Sequence, residues 1–268
     1  MPRGLRRCRA SRPGDRASSL LTDAELDRYA RQIILPAFGG AGQAKLKNAH
    51  VAVIGAGGIG CPAITYLAAA GVGRLTIIDD DVVELSNLQR QPLFTDADIG
   101  ARKAIVAADA ARRINPHVEA VAVAERLDDG NAAALLTGAS LILDGCDNFV
   151  TRLAVNRAAV ALQIPLLSAA IGAFEGQVAL YEGWRADSPC YACLVGSDPA
   201  LDGVNCAETG VMGALAGMIG TMAALEAVRA LTGWGSALTG RLAIVDMLDR
   251  RWREVAVAKD PRCPICQS

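Results

Sequence analysis

The chain has 268 residues, 52% of them hydrophobic and 21% charged, with a formal net charge of −1. These values exclude a disordered chain and any general attraction to nucleic acid or an anionic membrane surface. They fit one large domain or two small ones, and the 4% aromatic content beside 27 glycines favours closely packed helices and sheets over an aromatic-rich β fold.

Residues Met1 to Ser19 hold six arginines and a single acid, Asp15. This stretch lacks the apolar core of a secretory signal. It reads as a disordered tail over 1–20, or a misassigned start, with an organelle transit peptide as the alternative. The rest, 21–268, reads as one domain. Thr22-Asp-Ala-Glu25 is a capping box that starts a helix. That helix carries Arg28, Tyr29 and Arg31 and ends near Pro36 and Gly39. A strand at His50–Ile54 leads into the glycine turn Gly55-Ala-Gly-Gly-Ile-Gly60, and a small-residue helix runs from Cys61 to about Ala70. Leu75–Ile78 is a second apolar strand, ending in Asp79-Asp80-Asp81. Such a βαβ unit implies parallel strands.

The alternation continues with a helix over Ala101–Ile114, a strand over Val118–Ala124 and a short helix over Asn131–Leu136. Leu141–Leu143 is a strand ending in Asp144-Gly-Cys-Asp147, Thr151–Leu162 is helical, and Leu166-Leu167 starts another strand. After Gly176 the pattern changes to short strands at Val178–Tyr181, Leu242–Asp246 and Trp252–Val257, with a long helix near Gly210–Leu231 between them. The expectation is a doubly wound, Rossmann-like, mostly parallel sheet extended by antiparallel strands, with helical structure at the N-terminus. The apolar run Gly210–Leu225 stops at Glu226 after sixteen residues. A membrane span needs about twenty, so a buried core helix is predicted.

The glycine turn lies between a strand and a helix, where Gly55, Gly57 and Gly60 let backbone N–H groups approach phosphate at a helix N-terminus. Asp79, ending the next strand, is placed for ribose hydroxyls. This much also fits an NAD-dependent oxidoreductase. The next stretch favours a triphosphate: Ser86-Asn87-Leu88-Gln89-Arg90-Gln follows within a dozen residues, and Lys103 lies a little further on. Transfer chemistry on a triphosphate needs cations on the phosphates, although a lone Arg or Lys is also an ordinary surface residue. Asp144 and Asp147 sit just past a third apolar strand, where a carboxylate suits Mg²⁺. Asp147 or Asn148 also serves as a helix cap.

Of eight cysteines, four form two pairs, Cys190-Tyr-Ala-Cys193 and Cys263-Pro-Ile-Cys266. Their spacing is that of a Cys₄ zinc site, and the 69 intervening residues make it a clip between mid-chain and C-terminus. Four thiolates close the coordination sphere, so the zinc is read as structural; two redox pairs are the alternative. Cys206 precedes the long helix and is a candidate nucleophile or a packing residue. Cys146 is a second candidate thiol, Cys61 is expected to be buried, and His50 and His117 show no partner spacing. Thiol ligands of this kind point to a reducing compartment, the cytoplasm.

The ordered set Arg28-Tyr-Ala-Arg31-Gln-Ile-Ile-Leu35, Gly55-Ala-Gly-Gly-Ile-Gly60, Ser86-Asn-Leu-Gln-Arg90-Gln, Asp144-Gly-Cys-Asp147-Asn148, Cys206-Ala-Glu-Thr-Gly210-Val-Met212 and the two cysteine pairs resembles the MoeB, ThiF and HesA proteins. These are bacterial relatives of ubiquitin-activating enzymes. The match covers about Leu21 to Gln267, and the stretch at Cys206 looks closest to MoeB. The resemblance implies ATP-dependent adenylation of the C-terminal Gly-Gly carboxylate of a small ubiquitin-like sulfur carrier, of the molybdopterin synthase small-subunit type, before thiocarboxylate formation. ThiF-like activation of the thiamine-pathway carrier is the alternative, and a non-catalytic carrier-binding scaffold is a third class. By position, the resemblance puts Gly55 to Gly60 around ATP, with Gly58 closest, and Asp79 on the ribose. Asn87, Arg90 and Lys103 fall on the triphosphate, Asp147 with its neighbour Asn148 at magnesium, and Arg31 in the partner subunit's site of a homodimer. Cys206 matches a position that bonds the carrier in ThiF-like members and is dispensable for adenylation in MoeB-like ones. Gly145-Cys146 departs from the usual Cys-Thr or Gly-Thr pair. No rhodanese-like segment follows Cys266, so sulfur is expected from a separate sulfurtransferase.

Overall fold

A computed structural model of the protein describes residues 21–197 and 210–267. The expected tail over 1–20 and Cys206 lie outside the described residues. The chain opens with α1 (Asp23–Ile33), where Thr22 and Glu25 form the reciprocal cap read from the sequence. Then comes α2 (Gly39–Lys47), a helix the sequence reading did not assign. Its start, Gly39-Gly40-Ala41-Gly42, is poor in helix formers. Tertiary contacts hold it: Leu46 is fully buried, and the Gln43 amide donates to the Ala70 carbonyl at 2.9 Å.

The core alternates β1 (His50–Ile54), α3 (Gly60–Ala70), β2 (Arg74–Ile78), α4 (Lys103–Ile114), β3 (Glu119–Val123), α5 (Ala132–Leu136), β4 (Leu141–Asp144), α6 (Phe149–Leu162) and β5 (Leu166–Ile171). These five strands pair in parallel in the order β3-β2-β1-β4-β5. β6 (Glu175–Tyr181), β7 (Arg241–Asp246) and β8 (Arg251–Ala256) then extend the same sheet antiparallel. β1, β2 and β4 are buried almost throughout. Strands covered on both faces read as continuous apolar runs, which is why they were legible. One apolar cluster joins α3 and α4 to one face of the sheet, and a second joins α5 and α6 to the other.

Between β6 and β7 lie a short helix α7 (Tyr191–Val195) and the long helix α8 (Gly213–Thr232). α8 runs 20 residues, close to the Gly210–Leu231 helix read from the sequence, and its apolar character continues past Glu226. It meets the length and apolarity of a membrane span. Its apolar side is nonetheless occupied within the protein, packing on α3, β5 and β6. It also carries Glu226, only 7% exposed.

Candidate nucleotide cleft and thiolate cluster

The sheet order reverses direction between β1 and β4, which pair directly. Ligands of doubly wound sheets bind outside the carboxyl ends of the strands at such a point. A cleft of about 660 Å³ opens there, within the range of small-molecule and cofactor sites. It brings together Gly55, Gly57, Gly58, Asp79, Ser86, Asn87, Gln89, Arg90, Lys103, Asp147 and Asn148 from five separate stretches of sequence. Gly60 and Leu88 do not line it: Gly60 is buried at the start of α3, and Leu88 packs on the core. Arg31 is exposed in the last turn of α1 and does not line the cleft of its own chain.

Local bonds hold this constellation. The Asp79 carboxylate accepts from the Ala56 N–H at 2.7 Å and from the Asp81 N–H at 2.9 Å. It thereby fastens the glycine turn to the end of β2. Burial pushes the Asp79 carboxyl above its ordinary value, and these two backbone bonds oppose the shift. Each oxygen keeps a further lone pair for a hydroxyl donor. Lys103 begins α4; its ammonium is nearly buried and meets Asp81 at 2.9 Å. Arg90 is half-buried and donates to the Ser86 carbonyl at 2.9 Å. Asn87 is buried, its side-chain oxygen accepting from the Glu84 N–H at 3.3 Å, so part of its role is to shape the loop. Asp147 is exposed at the mouth, directly before Asn148, which caps α6 by accepting from the Thr151 N–H at 2.9 Å. The cap read from the sequence therefore falls on Asn148, and Asp147 is among the residues lining the cleft.

Three features of the wall were not read from the sequence. Arg152, one turn into α6, is 7% exposed and reaches the loop before Asp147. Six consecutive residues, Thr151 to Asn156, are buried there, so no one-sided apolar pattern in the sequence marks Arg152 as inward-facing. Gln91 is 3% exposed, and its amide oxygen has no hydrogen-bond partner among the described residues. Ala170 and Ile171, at the end of β5, supply an apolar wall. Burial and the neighbouring Asp144 carboxylate push the Cys146 thiol well above its ordinary value, and burial pushes Cys61 up to about 12. Neither is a ready thiolate nucleophile.

Away from the cleft, Cys190, Cys193, Cys263 and Cys266 bring their sulfurs within 4.8 Å of one another. The Sγ–Sγ distances are 3.9 Å for Cys190–Cys193, 3.6 Å for Cys190–Cys263 and 3.5 Å for Cys193–Cys266. A tetrahedral zinc thiolate has sulfur edges of about 3.8 Å, set by Zn–S bonds of about 2.3 Å, whereas a disulfide brings its sulfurs to about 2.05 Å. The cluster fits zinc. It also has outer support, since the Asn156 amide of α6 donates to the Cys190 sulfur at 3.5 Å and accepts from the Tyr191 N–H at 2.9 Å.

Fold and site define a doubly wound nucleotide-binding protein whose antiparallel extension is clipped by four thiols. The chain belongs to the ThiF family, whose model matches residues 29–265. It is 45% identical over 249 residues to the sulfur carrier protein adenylyltransferase of Thermus thermophilus, covering 91% of this chain and 92% of that protein. It is 43% identical over 249 residues to the molybdopterin-synthase adenylyltransferase of Escherichia coli, covering 92% of this chain and 98% of the relative. Among solved structures, E. coli MccB with ATP shares the fold, with a TM-score of 0.78 and 22% identity over 90% of this chain and 75% of MccB.

Proposed function

We propose that the protein is an ATP-dependent adenylyltransferase acting on the C-terminal carboxylate of a small ubiquitin-like sulfur-carrier protein that ends in Gly-Gly. The observation that carries this reading is the single cleft in which a glycine turn, a ribose-type acid, two cations and an exposed carboxylate converge. The relatives named above support the reaction class, and the adenylyltransferase of molybdopterin synthase supports a carrier of that enzyme's small-subunit type.

The chemistry follows from charge. An α-carboxyl has a pKa of about 3.3–3.7, so the carrier's carboxylate is already the nucleophile at neutral pH and no general base is required. One carboxylate oxygen attacks the α-phosphorus of ATP. The bond from that phosphorus to the bridging oxygen breaks, and pyrophosphate leaves with the electron pair. The protein's task is to hold two anions together and to stabilise charge on the departing group. Asp79 holds the ribose. The glycine turn at Gly55, Gly57 and Gly58 accepts the phosphates, with Ser86, Asn87 and Gln89 on the adjoining wall. Lys103 and Arg90 offset the growing negative charge. Asp147, flanked by Asn148, would hold Mg²⁺, which supplies further positive charge at the phosphates when bound. Cys190, Cys193, Cys263 and Cys266 would hold zinc, whose closed thiolate set gives it a structural task.

Exposed Phe174, Met247 and Leu248 lie at the same end of the sheet as the cleft, on the β5–β6 and β7–β8 turns, which join through Met247 N–H to Phe174 carbonyl at 2.9 Å. An apolar surface there supports docking of a protein substrate beside the nucleotide. In this reading the enzyme works as a homodimer in the cytoplasm, and a separate sulfurtransferase completes the thiocarboxylate. Purified protein with a Gly-Gly carrier should exchange labelled pyrophosphate into ATP. No exchange with any such carrier, together with measurable NAD binding, would overturn the proposal.

A further inference from the structure

Both backbone groups of Cys146, the residue before Asp147, are held. The Cys146 N–H donates to the Asp144 carboxylate at 3.1 Å. The Cys146 carbonyl accepts from Nη2 of Arg152. Arg152 also lies 3.7 Å from Asp144, so loop, acid and guanidinium close a ring. The rest of the fork reaches β5: Nη1 donates to Ser168 Oγ at 3.0 Å, and Nη2 to the Ala169 carbonyl at 2.8 Å. The guanidinium carbon stands 6.0 Å from the centre of the Tyr191 ring.

This is a costly arrangement. Asp144 is 1% exposed and Arg152 7%. A buried ion pair is often no more stabilising than well-packed apolar residues. Burial opposes the charge on Arg152, but Asp144 beside it keeps the guanidinium more firmly protonated than a free arginine. What the pair provides that apolar side chains cannot is a fixed orientation for the Cys146 peptide. A planar fork can bind acceptors on two elements at once, whereas a lysine acts as a point charge. Although Arg152 forms part of the cleft wall, both its Nη atoms are committed to protein acceptors. Its hydrogen bonds therefore go to the protein rather than into the cleft.

We propose that Arg152 is a positioning residue for the adenylation, tying the loop after β4 to β5 so that Asp147 is aimed into the cleft. The proposal rests on the adenylation reading of that site. The experiment compares Arg152→Ala, Arg152→Lys and Ser168→Ala with the parent enzyme, each checked for folding and metal content. In pyrophosphate exchange, kcat should fall on the order of a hundredfold in Arg152→Ala, the scale of a misaligned reacting group. KM for ATP should rise by no more than the factor by which Mg²⁺ tightens ATP binding to the parent, since the nucleotide's own contacts are kept. Guanidinium ion below denaturing concentration should restore about tenfold of the loss, and ethylammonium should not. Arg152→Lys should lose about tenfold, because it keeps the charge and loses the fork.

If Arg152→Ala does not fold, Arg152→Lys and Ser168→Ala carry the test; parental kcat in both would overturn the claim. Loss in Arg152→Ala that only tracks its folded fraction, with no rescue by guanidinium, would overturn it too. A parent enzyme with no exchange would instead sink the adenylation reading. Calorimetry still decides the positioning claim in that case: Mg²⁺ should tighten ATP binding to the parent and not to Arg152→Ala, and equal tightening in both would refute it.

Discussion

Gly57 differs in kind from the glycines on either side of it. Gly55 sits at φ +85°, where only glycine is comfortable, and a Cβ at Gly60 would stand 1.9 Å from the Gly55 carbonyl oxygen. The turn itself demands glycine at both. At Gly57 the nearest described atom to an added Cβ is the Gln91 amide nitrogen, at 3.7 Å, an ordinary contact. In the proposed reading that space belongs to phosphate. Gly57→Ala is therefore expected to melt within a few degrees of the parent, while KM for ATP rises on the order of tenfold, about 1.4 kcal/mol of binding. A thermal scan and a KM measurement check both halves. Thiol and charge candidates separate in the pyrophosphate exchange assay. Adenylation joins a carboxylate to a phosphate and uses no thiol, so Cys206→Ala should keep most of its exchange. Asp147→Ala and Arg90→Ala should each lose at least about two decades, as when a partner of transition-state charge is removed. A folded, ATP-binding Cys206→Ala protein without exchange would contradict this chemistry. Residues like Gly57, Asp79 and Asp147 were legible because a strand end, a turn glycine and a following acid are neighbours in sequence. Arg152 was not: its partners Ser168 and Ala169 lie on β5, which only the sheet brings alongside.

Among the elements, α8 and the cysteine clip show how far local pattern reaches. The apolar stretch of α8 and its extent to about Leu231 were plain; Glu226, which ends the unbroken apolar run, is a buried passenger within the helix. Burial raises the Glu226 carboxyl above its ordinary value; Arg229, at 3.2 Å, opposes the shift and Glu254 adds to it. A raised carboxyl means that the charged form costs stability above the folded-state pKa, and that the cost disappears below the unfolded-state value. Glu226→Gln should accordingly raise the melting temperature at neutral pH, and the gain should shrink to nothing as pH falls through the carboxylate range. A pH series of thermal melts checks it, and a gain that persists in acid would show another cause. The clip was legible from spacing alone, whereas α2 was not, since its glycines carry no helical preference and its hold comes from Gln43 and Leu46. Metal analysis should find one zinc per chain in protein purified without chelators. Removing it should lower stability, because four converging thiols bind metal in the folded chain and not as a set in the unfolded one. Zinc-free protein with an unchanged melting temperature would defeat that expectation.

For the whole molecule, the site as one chain presents it leaves Arg31 unused. α1 packs against α2, and Arg31 projects from its last turn, exposed and outside the cleft lining. An arginine that serves the triphosphate from there has to serve a second chain, which closed two-fold assemblies allow through one self-complementary surface. Leu26, Ile34 and Leu35 are exposed on and just after the same helix, the apolar material such a surface requires. Arg31→Ala and Asp147→Ala should each be nearly inactive alone. In a heterodimer of the two, one site draws an intact Arg31 and an intact Asp147 from different chains, and the other site lacks both. Random exchange of equal amounts makes half the dimers mixed, so about a quarter of all sites should work. Had Arg31 acted within its own chain, every site would retain one defect and mixing would restore nothing. Subunit exchange verified by a mass tag, followed by the exchange assay, distinguishes the two. Recovery near a quarter of parental activity assigns Arg31 to the neighbouring site, and flat inactivity after verified exchange removes it from the chemistry in trans.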